Sequence, residues 1–266
     1  MPHFKETTTM QIKPLMPGQS SFGNLFDIFQ IEGCTSFDEL ITLYYKLQEN
    51  NIGKSILLTL DDLGQAEYTS THTKMMHDLD DTEGYDLSVV NAAAFEDGEH
   101  IGYLSTPSEF FIRKQNFLKR ASSVDYASVS ERGLTIEEDE LRLLADINKS
   151  PMAYLDKRIL LAVIPVEKPY ETISGFPNGY FSGDLDPFEN YALAKRFYDN
   201  YGYKLFGMGA SLLGFIREKI PDDQQTQELA ADLMEIYNSK VDISAKLIEI
   251  IKGNNHFFIK YTESLP

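Results

Sequence analysis

A single cysteine, Cys34, stands in a chain of 266 residues. That excludes an intramolecular disulfide framework and a cysteine-based zinc site. No apolar run reaches the about eighteen residues that a membrane-spanning helix needs, and the opening MPHFKETTTMQIKPLMPG has no apolar core of the signal-peptide kind. Basic side chains are scarce, with 24 Lys and Arg against 41 Asp and Glu, a net charge of −17. Such a surface repels nucleic acid and anionic membranes and favours a basic partner. A soluble, cytoplasmic chain follows, with neither nucleic acid nor membrane as its partner.

Catalytic signatures are missing as well. There is no G-x-S-x-G elbow, no H-E-x-x-H pair and no complete phosphate loop. Gly53, Lys54 and Ser55 resemble the end of a P-loop, but the first glycine of that motif falls on Gln48, and here a helix precedes and a strand follows. Gly207, Gly209 and Gly214 suggest a dinucleotide turn, yet Leu212 stands where that pattern requires Gly or Ala. A calcium loop starting at Asp78 would need its glycine where Glu83 stands. His72 and His77 are five apart, so a shared helical face for two imidazole ligands is poorly served. No cofactor is expected.

What is present is a globular composition, 42% hydrophobic against 24% charged. Hairpin and capping signals alternate without a regular βαβ series, which predicts an α+β fold with a mixed or mostly antiparallel sheet flanked by amphipathic helices. Residues 1–35 read as an irregular lead-in containing Pro2, Pro14 and Pro17. A capping box at Ser36 and Glu39 opens a helix to about Asn50, and residues 55–60 form a buried strand. Residues 85–95 and 101–104 read as two strands joined by the turn Asp97-Gly98. Thr106, Pro107 and Glu109 open a helix; Thr135 and Glu138 box another. The apolar run 158–166 predicts a central strand covered on both faces. The serine-rich residues 121–130 are the candidate linker between an acidic region, 1–120, and a C-terminal unit, 131–266; one continuous domain is the alternative.

The densest punctuation lies in 173–217. Asp186, Pro187 and Glu189 supply an N-cap, a proline at N1 and a box carboxylate at N3, so a helix begins at Pro187. Its aromatic face, with Tyr191, Ala194 and Phe197, should pack on the strands that follow. Gly202 stops it, and strand, tight turn and strand come next. Residues Pro187, Glu189, Asn190, Tyr191, Ala192 and Ala194, then Tyr201, Gly202, Tyr203, Leu205, Gly207, Gly209 and Ser211, make this segment similar to one in a bacterial domain of unknown function. The resemblance covers under a fifth of the chain; it implies a bacterial source and carries no activity.

Two sets of residues are candidates for contact. Residues 61–99 hold eleven carboxylates against Lys74 alone, ten of the seventeen net negative charges. Within them, Asp78, Asp80, Asp81 and Glu83 form the face offered to a basic protein partner. Arg113, Lys114, Lys119 and Arg120 are a basic patch that could answer the same carboxylates from inside the molecule. Phe176, Tyr180 and Phe181 lie on a glycine-rich loop; they either present a contact surface or fold back as the loop's own small core. A non-catalytic binding protein of the inhibitor or immunity type is thus the leading reading. Its alternative is a hydrolase or transferase using a divalent ion at clustered carboxylates, either in the acidic segment or among Asp184, Asp186 and Glu189.

Overall fold

The computed structural model describes residues 10–16, 18–20, 22–240 and 242–265. Among them, seven strands form one sheet: β1 (Gln11–Pro14), β2 (Asp27–Glu32), β3 (Ser55–Thr59), β4 (Ile159–Ile164), β5 (Lys204–Met208), β6 (Leu212–Ile216) and β7 (His256–Lys260). Their spatial order is β1-β2-β4-β3-β5-β6-β7. The pair β3 and β5 is parallel and the other neighbours are antiparallel, so the sheet is mixed and largely antiparallel, an α+β fold. β3, β4 and β6 are buried along their whole lengths. Their continuous apolar sequences reflect helices on both faces of the sheet.

Eight helices surround the sheet among the described residues: α1 (Phe37–Asn50), α2 (Leu63–Met76), α3 (Phe110–Ala121), α4 (Tyr126–Arg132), α5 (Glu138–Lys149), α6 (Pro187–Tyr201), α7 (Asp223–Ile236) and α8 (Ser244–Ile251). Local chemistry sets most of their starts. Ser36 caps α1, Thr106 and Glu109 close a capping box before α3, and Asp186 caps α6 by accepting from the N–H groups of Phe188 and Glu189. Gly202, at φ +72°, ends α6 as expected. β4 lies between β2 and β3, so one sheet takes strands from both sides of residues 121–130. Those residues hold the start of α4, capped by Asp125.

Several expectations need correction. The lead-in is not irregular, since it supplies β1 and β2; of its prolines, Pro2 and Pro17 lie outside the described residues. The box of α5 is Glu137 with Glu140, two residues beyond the Thr135 pairing. Residues 85–95 contain two 3-10 turns, Leu87–Val89 and Ala92–Ala94, and the strand pairing shrinks to Phe95–Glu96 with Glu99–His100. The turn there does have the expected form, with Asp97 and Gly98 both at positive φ. Within α6, Phe197 packs toward the strands, 5.0 Å from Phe215. Tyr191 instead faces Tyr170 and Phe117 of α3, at 5.3 and 5.7 Å. The edge strand β7 is closed by side chains: Asn148 bonds both the N–H and C=O of Phe258, and the Tyr237 hydroxyl does the same for Lys260. No helix among the described residues is long and apolar enough to cross a membrane.

A crevice at the carboxyl ends of β3 and β5

The parallel strands β3 and β5 end side by side, and the chain leaves β3 through Asp61 and Asp62. Asp61 is 1% exposed. Its carboxylate accepts from the Ser211 N–H at 2.9 Å, the Ser211 hydroxyl at 2.6 Å and the Leu212 N–H at 3.1 Å. It therefore holds the β5–β6 turn, and the turn must come very close to do this. A Cβ on Gly209 would stand 1.9 Å from an Asp61 carboxylate oxygen, which is why the position takes glycine. Burial pushes the Asp61 carboxyl above its ordinary range, and the three donors pull in the opposite direction. Asp62 follows at φ +32°, a left-handed conformation uncommon outside glycine, and caps α2 by accepting from the Gln65 N–H.

A crevice of about 250 Å³ opens beside this turn. Four carboxylates line it, those of Asp61, Asp62, Asp184 and Glu263, together with Gln65, Thr69, Phe181 and neighbouring small residues. No lysine, arginine or histidine is among the lining residues. Asp184 is itself committed, because its carboxylate accepts from the N–H groups of Phe181 and Glu263. Burial raises its pKa as well. Asp62 and Glu263 are exposed.

Of the three aromatics on the glycine-rich loop, Phe176 is a correction: it is 1% exposed and stacks on Phe22 with ring centroids 4.2 Å apart, so it belongs to the core. Tyr180 and Phe181 stay at the surface and touch each other at 5.3 Å. Tyr180 meets His72 of α2 at 5.2 Å, and His72 meets Tyr68 at 4.3 Å. Through Phe181 this aromatic row forms one wall of the crevice.

Asp78, Asp80, Asp81 and Glu83 lie beyond the opposite end of α2. Arg113 of α3, 3% exposed, grips Asp80 with two hydrogen bonds of 2.6 and 2.7 Å. Arg120 stands 3.5 Å from Asp78. The Asp81 carboxylate accepts from the Glu83 N–H, and Glu83 is exposed. Two arginines of the basic patch thus face this segment within the molecule, while Lys114 pairs elsewhere, with Glu171 at 2.9 Å.

Metal chemistry finds little here. Among the described residues no group of three or more His, Cys, Asp or Glu is arranged to hold a metal ion. Asp186 and Glu189 serve as caps, and Glu189 also pairs with Arg132 at 2.5 Å. His72 lies in the aromatic row and His77 packs on Phe188 at 4.9 Å. Sequence reasoning did not single out Asp61, Asp62 or Glu263. The contact between Asp61 and Ser211 joins residues 150 apart, so no local spacing marks it. No family model, curated protein or solved structure matches the chain.

Proposed function

We propose that the chain is a non-catalytic binding protein for a basic protein partner, taken at the acid-lined crevice and at the exposed carboxylates that follow the far end of α2. The observation that carries this reading is a crevice lined by four carboxylates, of which Asp62 and Glu263 are exposed, and by no cation. An ammonium or guanidinium group entering it would meet negative charge in a partly desolvated setting, where salt screens less than on an open surface. The same charge steers a cationic surface toward the site and disfavours acidic competitors. Catalysis is less well served. Asp61 and Asp184 are buried and held by backbone N–H groups, whereas a general base must come within reach of the proton it takes.

The test uses a labelled ten-residue lysine peptide and its glutamate counterpart as probes, with fluorescence anisotropy at low and moderate salt. The double variant Asp62→Asn/Glu263→Gln keeps a good N-cap and the side-chain sizes while removing two charges from the crevice. A control, Glu49→Gln/Glu235→Gln, removes two charges from exposed positions elsewhere. The lysine peptide should bind the native chain and the control alike, and bind the crevice variant several-fold more weakly. Equal binding by all three proteins, or no preference over the glutamate peptide, would reject the crevice as the basic site.

A further inference from the structure

Helix α2 is built inside out. Its inner side carries Leu63 and Ala66 in the first turn and then Thr69, Ser70, Thr73 and Lys74, all buried. Burial, with Arg113 nearby, pushes the Lys74 ammonium down to about 8. The outer side carries Tyr68, Met75 and Met76, which are 50, 70 and 58% exposed. Tyr68, His72, Met75 and Met76 are spaced by four, three and one, so they share one arc of the helix. No lysine, arginine, aspartate or glutamate falls on that arc. A surface helix normally has the opposite polarity, with an apolar stripe toward the core and charge toward water.

Single exposed apolar residues are ordinary. This row differs because it is continuous: Tyr68, His72, Tyr180 and Phe181 touch ring to ring, and Phe181 is 49% exposed. Contiguous apolar surface bordered by polar groups marks a contact site. Charge indicates what covers it. One end of the row meets Asp62 and Glu263 at the crevice, and the chain leaving the other end of α2 carries the exposed Asp78, Asp81 and Glu83, with Arg120 offsetting Asp78. At 1.5 Å rise per residue, the fourteen residues of α2 that separate the two acidic ends span about 21 Å.

We infer that the outer face of α2 docks an amphipathic helix of the basic partner, its apolar side chains laid along Tyr68, His72, Met75 and Met76 and its lysines or arginines at both ends, about fourteen residues apart. Methionine suits such a face, because its flexible, polarisable side chain adapts to the helix laid on it. This inference rests on the basic-partner reading and narrows it to one shape.

Two synthetic peptides of about twenty residues, long enough to span α2 at 1.5 Å per residue, separate the possibilities. Both have lysines at each end; one has leucines at helical spacing between them, and the other has the same residues scrambled so that no stripe forms. The native chain should bind the striped peptide at least about ten-fold tighter than the scrambled one, the scale of a few buried anchors. Met75→Ser/Met76→Ser should lose that advantage with an unchanged denaturation midpoint, since both side chains face solvent. Equal binding of the two peptides would overturn the docking face and leave the acidic crevice standing. Failure of both peptides to bind would remove both readings. A native dimer in sedimentation velocity that Met75→Ser/Met76→Ser dissociates would assign the face to a second copy of the chain and overturn the inference.

Discussion

Replacing Asp61 tests whether the β5–β6 turn, and with it the crevice, hangs on one buried carboxylate. Asp61→Ala would leave the Ser211 and Leu212 N–H groups and the Ser211 hydroxyl without their acceptor, at positions 6% and 0% exposed. An orphaned buried donor costs about 1–3 kcal/mol, and the hydroxyl can turn elsewhere, so the two amides dominate. Removing a carboxylate that burial itself disfavours returns part of this. The net expectation is a loss of about 2–4 kcal/mol, with Asp61→Asn, which keeps one acceptor oxygen, losing less. Urea titration followed by circular dichroism reads both, provided the slope with denaturant stays that of the native chain. A loss under about 0.5 kcal/mol for Asp61→Ala would mean that the turn stands without the carboxylate.

The same pair of proteins makes a signed prediction with pH. Asp61 has a folded-state pKa above its ordinary 3.8, so its contribution is fully present below that value and is lost as pH rises through the folded pKa. Asp61→Asn removes this one titration and leaves the others in common. The stability of the native chain relative to Asp61→Asn should therefore grow as pH falls from 7 toward 4. A gap that shrinks on acidification would show that the donors, not burial, dominate the carboxyl.

Two further substitutions test the rest of the frame. Phe197→Ala removes a ring that is 0% exposed and packed edge-on against Phe215 and Phe257, and should cost about 3–5 kcal/mol in a denaturant melt; under about 1 kcal/mol, α6 would not be anchored on β6 and β7. Asp80→Asn leaves the buried Arg113 guanidinium without its charge partner and should cost about 1–3 kcal/mol, less than a fully buried pair because Asp80 is 34% exposed; Asp81→Asn/Glu83→Gln should leave stability unchanged, and equal losses in the two variants would refute the internal pairing.

Much of the frame was legible because local rules govern it. A cap, a proline and a box carboxylate specify the start of α6 wherever the helix packs, and Gly202 specifies its end. The run through β4 could belong only to an interior strand. Other elements carry no such mark. All four residues of β1 are exposed, so neither alternation nor an apolar run signals a strand there. α2 escaped notice for a related reason: its inner face of threonine, serine and lysine lacks the apolar periodicity from which helices are recognised. The aromatics of the glycine-rich loop divided between core and surface. Phe176 found the Phe22 ring, while Tyr180 came to rest on His72 of α2 with Phe181 beside it, a choice made by residues more than a hundred positions away.

Linear charge density located the acidic region but not the acidic surface, and the difference bears on function. Of the carboxylates in residues 61–99, Asp61 is occupied by the β5–β6 turn and Asp80 by Arg113, and neither adds much to the field outside. Asp184 and Glu263 come from the other half of the chain and join Asp62 at the crevice. A partner responds to charges the fold leaves uncompensated, wherever they lie in the sequence. Asp62 and Glu263 at the crevice and Asp81 and Glu83 beyond the far end of α2 meet that condition by exposure, and the helix between them carries Tyr68, His72, Met75 and Met76. Its apolar surface supplies contact area that charge alone does not, so affinity at this face should depend on the methionines and aromatics, while the rate of encounter depends on the carboxylates.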